Sequence, residues 1–282
     1  MKFYSPLRYP GGKGKIADYF RQIIVENNLQ NGTYIEPYAG GCSIALKLLI
    51  EKDVSRIIIN DADRSIYAFW HSVLYETEEL CKLISDTKIN ITNWRKQKLI
   101  QKIKGEVTLL ELGFSTFFLN RTNRSGILNA GAIGGIKQKG TWKINARFNK
   151  EDLKQRIKII AANKNKITLY NLDALDLIEK LSAEKISKAL FYFDPPYYVK
   201  GAGLYLNHYE CEDHAKVAAA IKALSKEKWV ITYDYVLPIR NLYKEYSSIK
   251  FTLNYSAAKS SIGTEIMIFS DGLKKPDIKL GV

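Results

Sequence analysis

The chain has 282 residues, 46% of them hydrophobic, and carries 43 Lys and Arg against 29 Asp and Glu, a net charge of +14. This composition excludes a largely disordered protein, and the length fits one large domain. No apolar run approaches the roughly 18 residues that a membrane helix needs, and we expect no signal peptide. Three scattered cysteines exclude a disulfide framework and predict a cytoplasmic protein, whose thiols stay reduced.

Seven short apolar runs have the composition of β-strands, and helical patterns separate most of them. The strand-like runs are Thr33–Ile35, Arg56–Ile59, Ile167–Tyr170, Ala189–Phe193, Trp229–Thr232, Ile249–Leu253 and Glu265–Phe269. The helical patterns are Ser43–Ile50, Ser65–Ser85, Asn93–Lys104, Glu151–Ala162, Ala174–Lys180 and His214–Leu224. Their alternation predicts an α/β fold with a doubly wound, mostly parallel sheet. The last two runs have no long helical pattern between them, so we expect an antiparallel pair at one edge.

The alternation of strands and helices is interrupted between Asp63 and about Lys158. Helical patterns there lead into the polar, Gly-rich stretch 120–149, and no Pro- or Ser-rich linker flanks the region. We therefore predict an α/β body formed by residues 1–63 and 159–282, with residues 64–158 inserted as a mainly helical unit.

The excess positive charge is concentrated in this insert. Residues 88–158 contain 16 Lys or Arg against four acids, whereas the rest of the chain has 27 basic and 25 acidic residues. Such a concentration predicts a polyanionic partner, most often nucleic acid. A solvated surface is the simpler interpretation of Lys96–Lys104, but the Gly-rich segment Arg121–Arg147 favours nucleic-acid contact. The candidate contacts in that segment are Arg121, Arg124, Lys137, Lys139 and Arg147.

The first strand-like run leads into the turn of Thr33–Ser43, TYIEPYAGGCS. Gly40 and Gly41 allow the backbone to pass close to a ligand, at the crevice where doubly wound sheets bind nucleosides. The turn is neither GxGxxG nor a Walker A loop. Asp61 follows the next run, 21 residues after Gly40, where an acid can bind ribose hydroxyls, and Asp63 is the near alternative. This pattern suits a nicotinamide cofactor or S-adenosylmethionine almost equally.

The segment Phe191–Tyr198, FYFDPPYY, joins a buried run to an acid, two prolines and an aromatic pair. The prolines stiffen the loop, so Asp194 and the Pro195 carbonyl offer two acceptors beside the flat ring of Tyr197. Two acceptors bind both N–H groups of an exocyclic base amine, and the aromatic face holds a base flipped from a duplex. We predict methyl transfer to such an amine, with an ordinary Pro-rich turn as the alternative. The predicted catalytic residues are Asp194, Pro195, Pro196 and Tyr197.

These motifs and their order resemble the Dam-like adenine methyltransferases, the alpha group of the D12 class. Leu7–Lys13 resembles their N-terminal cofactor motif, Glu36–Gly41 their first strand–turn motif and Ile58–Asp61 the acidic second motif. Leu119–Arg121 and Ser125–Ile127 resemble the segment before their DNA-reading hairpin, Asp194–Tyr197 their catalytic motif, and Tyr255 with Gly263–Ile266 their C-terminal end. The resemblance spans the chain from about Leu7 to Phe269.

The resemblance implies a site-specific DNA adenine N6-methyltransferase with a Rossmann-like sheet, S-adenosylmethionine as cofactor and double-stranded DNA as partner. It makes the α/β body the catalytic domain and the insert the target-recognition domain. The implied cofactor residues are Tyr9, Lys13, Glu36, Gly40, Asp61, Asp173 and Asp194, and Arg8 joins Arg124 as a DNA contact. Asp173 has the alternative of capping the helix that starts near Ala174. A monomer would suffice for this reaction. The resemblance is compatible with restriction-modification beside a cognate endonuclease, with phage DNA methylation or with an orphan methyltransferase.

Three other activities stay open on the sequence alone. The same fold can methylate cytosine N4, although Ser more often precedes the two prolines in those enzymes, or it can act on RNA. The third is a catalytically silent DNA-binding module. A decayed site should have lost Lys13, Asp194 or Tyr197, and all three are present. Zinc ligation by His208, Cys211 and His214 matches no structural zinc pattern, so we predict no metal.

Overall fold

The structure is a computed structural model that describes residues 3–8, 13–198, 209–255 and 261–277. Within these residues the strands are β1 (Thr33–Glu36), β2 (Arg56–Asn60), β3 (Ile167–Tyr170), β4 (Ala189–Phe193), β5 (Lys228–Asp234), β6 (Ser248–Tyr255) and β7 (Ser261–Phe269). They form one sheet in the order β3-β2-β1-β4-β5-β7-β6. Neighbours from β3 to β5 are parallel, and β7 is antiparallel to both β5 and β6. The predicted α/β sheet with an antiparallel edge is confirmed.

Ten α-helices lie in the described part of the chain. They are α1 (Ala17–Glu26), α2 (Ser43–Ile50), α3 (Arg64–Tyr75), α4 (Thr77–Asp86), α5 (Ile91–Lys102), α6 (Leu109–Thr122), α7 (Lys150–Ala161), α8 (Ala174–Ala183), α9 (Cys211–Ala223) and α10 (Leu237–Leu242). The single helical pattern predicted over Ser65–Ser85 is two helices, because the backbone leaves helical geometry at Glu76, with φ −132° and ψ 40°. The sequence patterns did not identify α1, α6 or α10.

Helices cover both faces of the sheet. One hydrophobic cluster contains side chains of α1, α2, α3, α6 and α7, and the other contains side chains of α8, α9 and α10. Helix α2, which follows β1, therefore packs on the opposite face from α9, which follows β4. Since β1 and β4 are neighbours, the strand order reverses between them, and in doubly wound sheets the carboxyl ends of such a strand pair border the ligand-binding crevice. Both motif-bearing turns, after β1 and after β4, lie at this crevice.

Helices α3 to α7 lie between β2 and β3 in the chain, where the sequence predicted an inserted unit. Buried side chains of α3, α6 and α7, such as Trp70, Phe117 and Ile157, belong to the same hydrophobic cluster as those of α1 and α2. The helical region thus shares a core with the sheet, and the domain boundaries at residues 63 and 159 stay a prediction. No helix of the described residues is long and apolar enough to cross a membrane.

Candidate active site

The turn after β1 is held by the acid that follows β2. Gly40 has φ +44°, a backbone conformation that a residue with a side chain rarely adopts. The Gly40 amide donates to Oδ2 of Asp61 at 2.9 Å, and the Asp63 amide donates to Oδ1 at 2.9 Å. The indole of Trp70 donates to the Gly40 carbonyl at 2.9 Å. The structure therefore brings Gly40 and Asp61, both predicted cofactor residues, into direct contact.

Two carboxyl groups at the ends of β1 and β2 have altered acidity. Glu36 is 3% exposed, and its Oε1 accepts from the Ala45 amide in the first turn of α2 at 3.3 Å. Burial raises the pKa of Glu36 to about 8, and the charge of Asp194 adds to this shift. Burial also raises the pKa of Asp61 to about 7, with a contribution from Asp63. Such groups favour a ligand that brings hydrogen-bond donors or positive charge.

A hydrogen-bonded network joins the predicted catalytic turn to the N-terminal motif. Asp194 directly follows β4, and its Oδ1 accepts from the Thr232 hydroxyl at 2.9 Å and lies 3.3 Å from Nζ of Lys13. The Lys13 ammonium also pairs with Glu265 and donates to the Tyr197 hydroxyl at 3.1 Å. That hydroxyl in turn donates to Oε1 of Glu265 at 2.5 Å. One cation thus lies between two carboxylates.

The pKa shifts follow from this arrangement. Burial by itself lowers the pKa of Lys13, but Asp194 and Glu265 outweigh it, so the pKa lies above the ordinary value and the side chain is an ammonium ion. Burial raises the pKa of Asp194, Lys13 opposes the shift, and Glu265 adds to it. Two carboxyl groups thus face one ammonium ion, an arrangement that favours positive charge on a neighbouring ligand atom.

Tyr197 lies deeper than its predicted stacking role suggests. Its ring is 3% exposed, and its hydroxyl is anchored by Lys13 and Glu265. Pro195 and Pro196 are buried as well, and the Tyr198 amide donates to Oδ1 of Asp234 at 3.0 Å, which fixes the end of the turn. The structure gives the turn rigid supports, and contact between Tyr197 and a base stays a prediction.

Two further predicted cofactor residues have different outcomes. Tyr9 lies outside the described residues. Asp173 is exposed and caps α8, accepting from the Leu175 amide at 2.8 Å. The capping interpretation of Asp173 is therefore realised, and a contact with the cofactor stays a prediction.

Three of the predicted DNA contacts gather where the N-terminal segment meets the insert. The Asn120 side chain binds both the amide and the carbonyl of Arg8, each at 2.7 Å. Nε of Arg121 donates to the Arg147 carbonyl at 2.7 Å. Arg124, Lys137 and Lys139 are exposed in the following segment. Trp142 is 66% exposed, and the Arg147 guanidinium lies 5.8 Å from its ring centroid.

The sequence did not assign roles to three residues that support the catalytic turn. Glu265 belongs to a segment matched by resemblance, and Thr232 and Asp234 lie in or beside a strand-like run with no motif. Glu265 and Asp234 are directly opposite each other on β7 and β5, and Thr232 lies two residues earlier on β5. The sequence does contain a signal for the two acids, because Glu265 lies within an apolar strand and Asp234 at the carboxyl end of one. An acid buried in such a place is rare without a partner.

No group of three or more metal-ligating side chains occurs in the ranges that the structure describes. Of the three His and Cys residues near the start of α9, His208 lies outside these ranges. His214 is buried, and its Nδ1 lies 3.0 Å from the Tyr233 hydroxyl, whereas Cys211 lies 2.9 Å from the Tyr198 hydroxyl. These contacts place both side chains against tyrosines.

A family model described as D12 class N6 adenine-specific DNA methyltransferase matches residues 9–257. The Type II methyltransferase M.MjaIII of Methanocaldococcus jannaschii is 24% identical over 207 residues, 68% of this chain and 68% of that protein. The rRNA methyltransferase AviRa of Streptomyces viridochromogenes is a distant structural relative, with TM-score 0.37, 12% identity, and coverage of 89% of this chain and 83% of its own. An O-methyltransferase from Bacillus cereus is similarly distant, with TM-score 0.37, 13% identity, and coverage of 92% and 80%.

Proposed function

We propose that this chain, which belongs to the D12 class N6 adenine-specific DNA methyltransferase family, methylates N6 of an adenine flipped out of duplex DNA. Membership makes it an adenine-specific DNA methyltransferase with S-adenosylmethionine as cofactor. The observation that carries the finer proposal is the contact of Asp194 with Lys13 at the crevice between β1 and β4. It joins the catalytic turn to the N-terminal motif within one network.

The residues at the crevice suit this cofactor. Glu36, Asp61 and Asp194 have raised pKa values because burial disfavours their charged forms, and a donor or cation would relieve that penalty. S-adenosylmethionine brings ribose hydroxyls, an ammonium group and a sulfonium, and it supplies the electrophilic methyl group. In this proposal Asp61 accepts from the ribose, while Gly40 allows close approach of the ligand. Tyr9, Lys13, Glu36 and Asp173 complete the pocket.

Asp194 is proposed to orient the base amine. Thr232 and Lys13 both contact Oδ1 within the described part of the chain, so Oδ2 is the oxygen that we assign to an N6–H group. The Pro195 carbonyl accepts from the second N–H, and Tyr197 contacts the face of the base. Nitrogen becomes more electron-rich as both hydrogens are bound. The carboxyl group of Asp194, beside N6 in this proposal, stabilises the positive charge that develops there, and a proton is lost afterwards.

The basic insert is proposed to hold the duplex. Its contacts would be Arg8, Arg121, Arg124, Lys137, Lys139 and Arg147, which neutralise phosphates or read base edges. Arg8 belongs to the N-terminal segment and contacts the insert through Asn120, so DNA bound at Arg8 would lie where that segment meets the insert. One copy of the chain suffices for this chemistry. It would serve restriction-modification, with a cognate endonuclease, or phage or orphan methylation.

The test is methylome sequencing of a methylase-deficient host that expresses the chain, its Asp194→Ala variant or its Asp271→Ala variant. Asp271 is an exposed acid after β7 and serves as the matched control. We expect N6-methyladenine at one short motif in the first and third strains and none with Asp194→Ala. N4-methylcytosine would overturn the substrate. Absence of any modified base, with soluble protein that binds S-adenosylmethionine, would favour an RNA substrate or a silent module.

A further inference from the structure

A cavity of about 200 Å³ lies where the N-terminal segment meets the start of α2 and the helices α6 and α7. Four cations from different parts of the chain line it: Arg8, Lys47 of α2, Arg121 at the end of α6, and Arg156 of α7. None of the described residues that line it is acidic, and its other walls include Phe3, Leu7 and Ser43. We call this space the arginine cavity.

Two of the four cations have carboxylate partners. Lys47 binds Asp18 at 2.6 Å, and Arg156 binds Asp152 at 2.8 Å. Arg8 and Arg121 instead donate to backbone carbonyls, of Asn123 at 3.3 Å and of Arg147 at 2.7 Å. Neutral carbonyls do not cancel a full charge, so the arginine cavity keeps a positive excess.

The pKa values of Arg8 and Arg121 are consistent with an excess of positive charge in the cavity. Burial, followed by the charges of Arg8 and Arg156, lowers the pKa of Arg121 to about 10, although the charge of Asp152 opposes the shift. Burial and the charge of Arg147 lower the pKa of Arg8. Like charges held together in a partly dry space are costly, and an anion that enters would remove the repulsion.

The geometry points to a phosphate as that anion. Guanidinium groups bind phosphate oxygens through paired, charge-assisted hydrogen bonds, and a cavity of about 200 Å³ admits one phosphate with its first waters. The cavity also borders Ser43, the first residue of α2, whose N-cap residue Cys42 makes no side-chain capping bond. The positive end of the helix dipole adds to the attraction.

We propose that the arginine cavity binds one phosphate of the DNA backbone and thereby fixes the insert against the N-terminal segment. This inference rests on the proposed function for its source of phosphate. Gly14 lines the cavity and follows Lys13, which contacts Asp194. A phosphate bound there would therefore hold the segment that carries Lys13, beside the duplex from which the adenine is taken.

The test compares Arg156→Ala with Lys158→Ala, a variant with the same loss of charge on the same helix. Lys158 does not line the cavity. Binding of a duplex with the methylated motif is measured from about 50 to 300 mM salt, and the slope of log affinity against log salt is taken. We expect Arg156→Ala to reduce the slope by about one unit and Lys158→Ala to leave it unchanged. Arg121→Gln, which keeps the Arg156 contact with Ser5, should reproduce the reduction.

A neutral methylphosphonate, placed at one backbone position at a time, identifies the phosphate. One position should weaken wild-type binding roughly tenfold and weaken binding by Arg156→Ala less, because that variant has already lost one of the cavity's cations. Slopes unchanged in both arginine variants would overturn the inference. A second result would also overturn it: inorganic phosphate raises the melting temperature of the wild type while the salt slopes of both variants stay unchanged. That result would indicate a site for free oxyanions. A wild type that binds no DNA would instead refute the proposed function.

Discussion

Glu265 is the carboxylate that ties the antiparallel edge of the sheet to the catalytic turn. It lies within β7, is 0% exposed and accepts from both Lys13 and the Tyr197 hydroxyl. An ionised carboxylate in such a place is costly unless it is paired, and its partners are two residues of the predicted site. We infer that Glu265 is a positioning residue, because it holds Lys13 beside Asp194 and fixes the ring of Tyr197.

Glu265→Gln should lower kcat for DNA methylation by roughly ten- to a hundredfold, the cost of losing one charge-assisted hydrogen bond in a buried site. The amide keeps the shape of the side chain but removes the charge that Lys13 and Tyr197 share. Steady-state methylation of a motif-bearing duplex should show KM for DNA little changed. Glu227→Gln, at an acid just before β5, is the control, and an unchanged kcat in Glu265→Gln would contradict the positioning role.

Single residues of the site could be predicted where strand order alone brings them together. Asp61 and Asp194 each directly follow a parallel strand, so both had to lie at one edge of the sheet. Glu265 lies inside its strand, and its role depends on β7 pairing with β5, which the sequence pattern indicated only as an antiparallel edge. Arg156 has no distinguishing signal in the sequence, because its place beside Arg8 and Arg121 is set only by the fold.

Helix α6 shows why an element can escape detection from its sequence. Periodic apolar patterns arise when one face of a helix is buried and the other is exposed to solvent. Most residues of Leu109–Thr122 are buried, so polar and apolar side chains follow no helical period. The N-terminus was nevertheless marked, because Thr108 and Glu111 form a capping box. This signal favours a helix start independently of periodicity.

The close approach of α3 and α6 depends on Gly113. A Cβ atom there would lie 2.5 Å from the Ala68 carbonyl oxygen and 2.6 Å from Oγ of Ser72. The Ala68 carbonyl is backbone, so it can move away from the new Cβ atom only if the two helices separate. Gly113→Ala should therefore lower the free energy of unfolding by about 1–3 kcal/mol. Urea unfolding should show this loss, whereas Gly105→Ala, where a Cβ atom meets nothing within 4 Å, should leave stability nearly unchanged. Equal midpoints for the two variants would contradict the tight packing.

At the scale of the whole molecule, charge is divided by function. Basic residues are concentrated between residues 88 and 158, the region proposed to hold DNA, and acids with raised pKa values lie at the carboxyl ends of the strands. The first distribution could be counted from the sequence. The second could not, because a raised pKa depends on burial and on neighbours that only the folded chain supplies. Folding therefore creates groups that titrate near neutral pH.

These groups make the stability of the cofactor-free protein depend on pH. The pKa of Glu36 is about 8 in the folded chain against an ordinary value of 4.5, so between these values the folded state holds more protons. The stabilisation is full below about pH 4.5 and is lost as the pH rises through about 8, at up to about 1.4 kcal/mol per pH unit. Asp61 and Asp194 shift in the same direction.

Glu36→Gln isolates one of these groups, because the amide oxygen can still accept from the Ala45 amide and the other acids are unchanged. From about pH 5.5 to 7.5 the unfolding free energy of the wild type should fall by roughly 2–3 kcal/mol relative to the variant. Urea midpoints at several pH values, without cofactor, measure this difference. Glu106→Gln, at an exposed acid, should run parallel to the wild type. A difference between wild type and Glu36→Gln that stays constant with pH would mean that Glu36 is ionised throughout, and that the crevice accommodates its charge without a ligand.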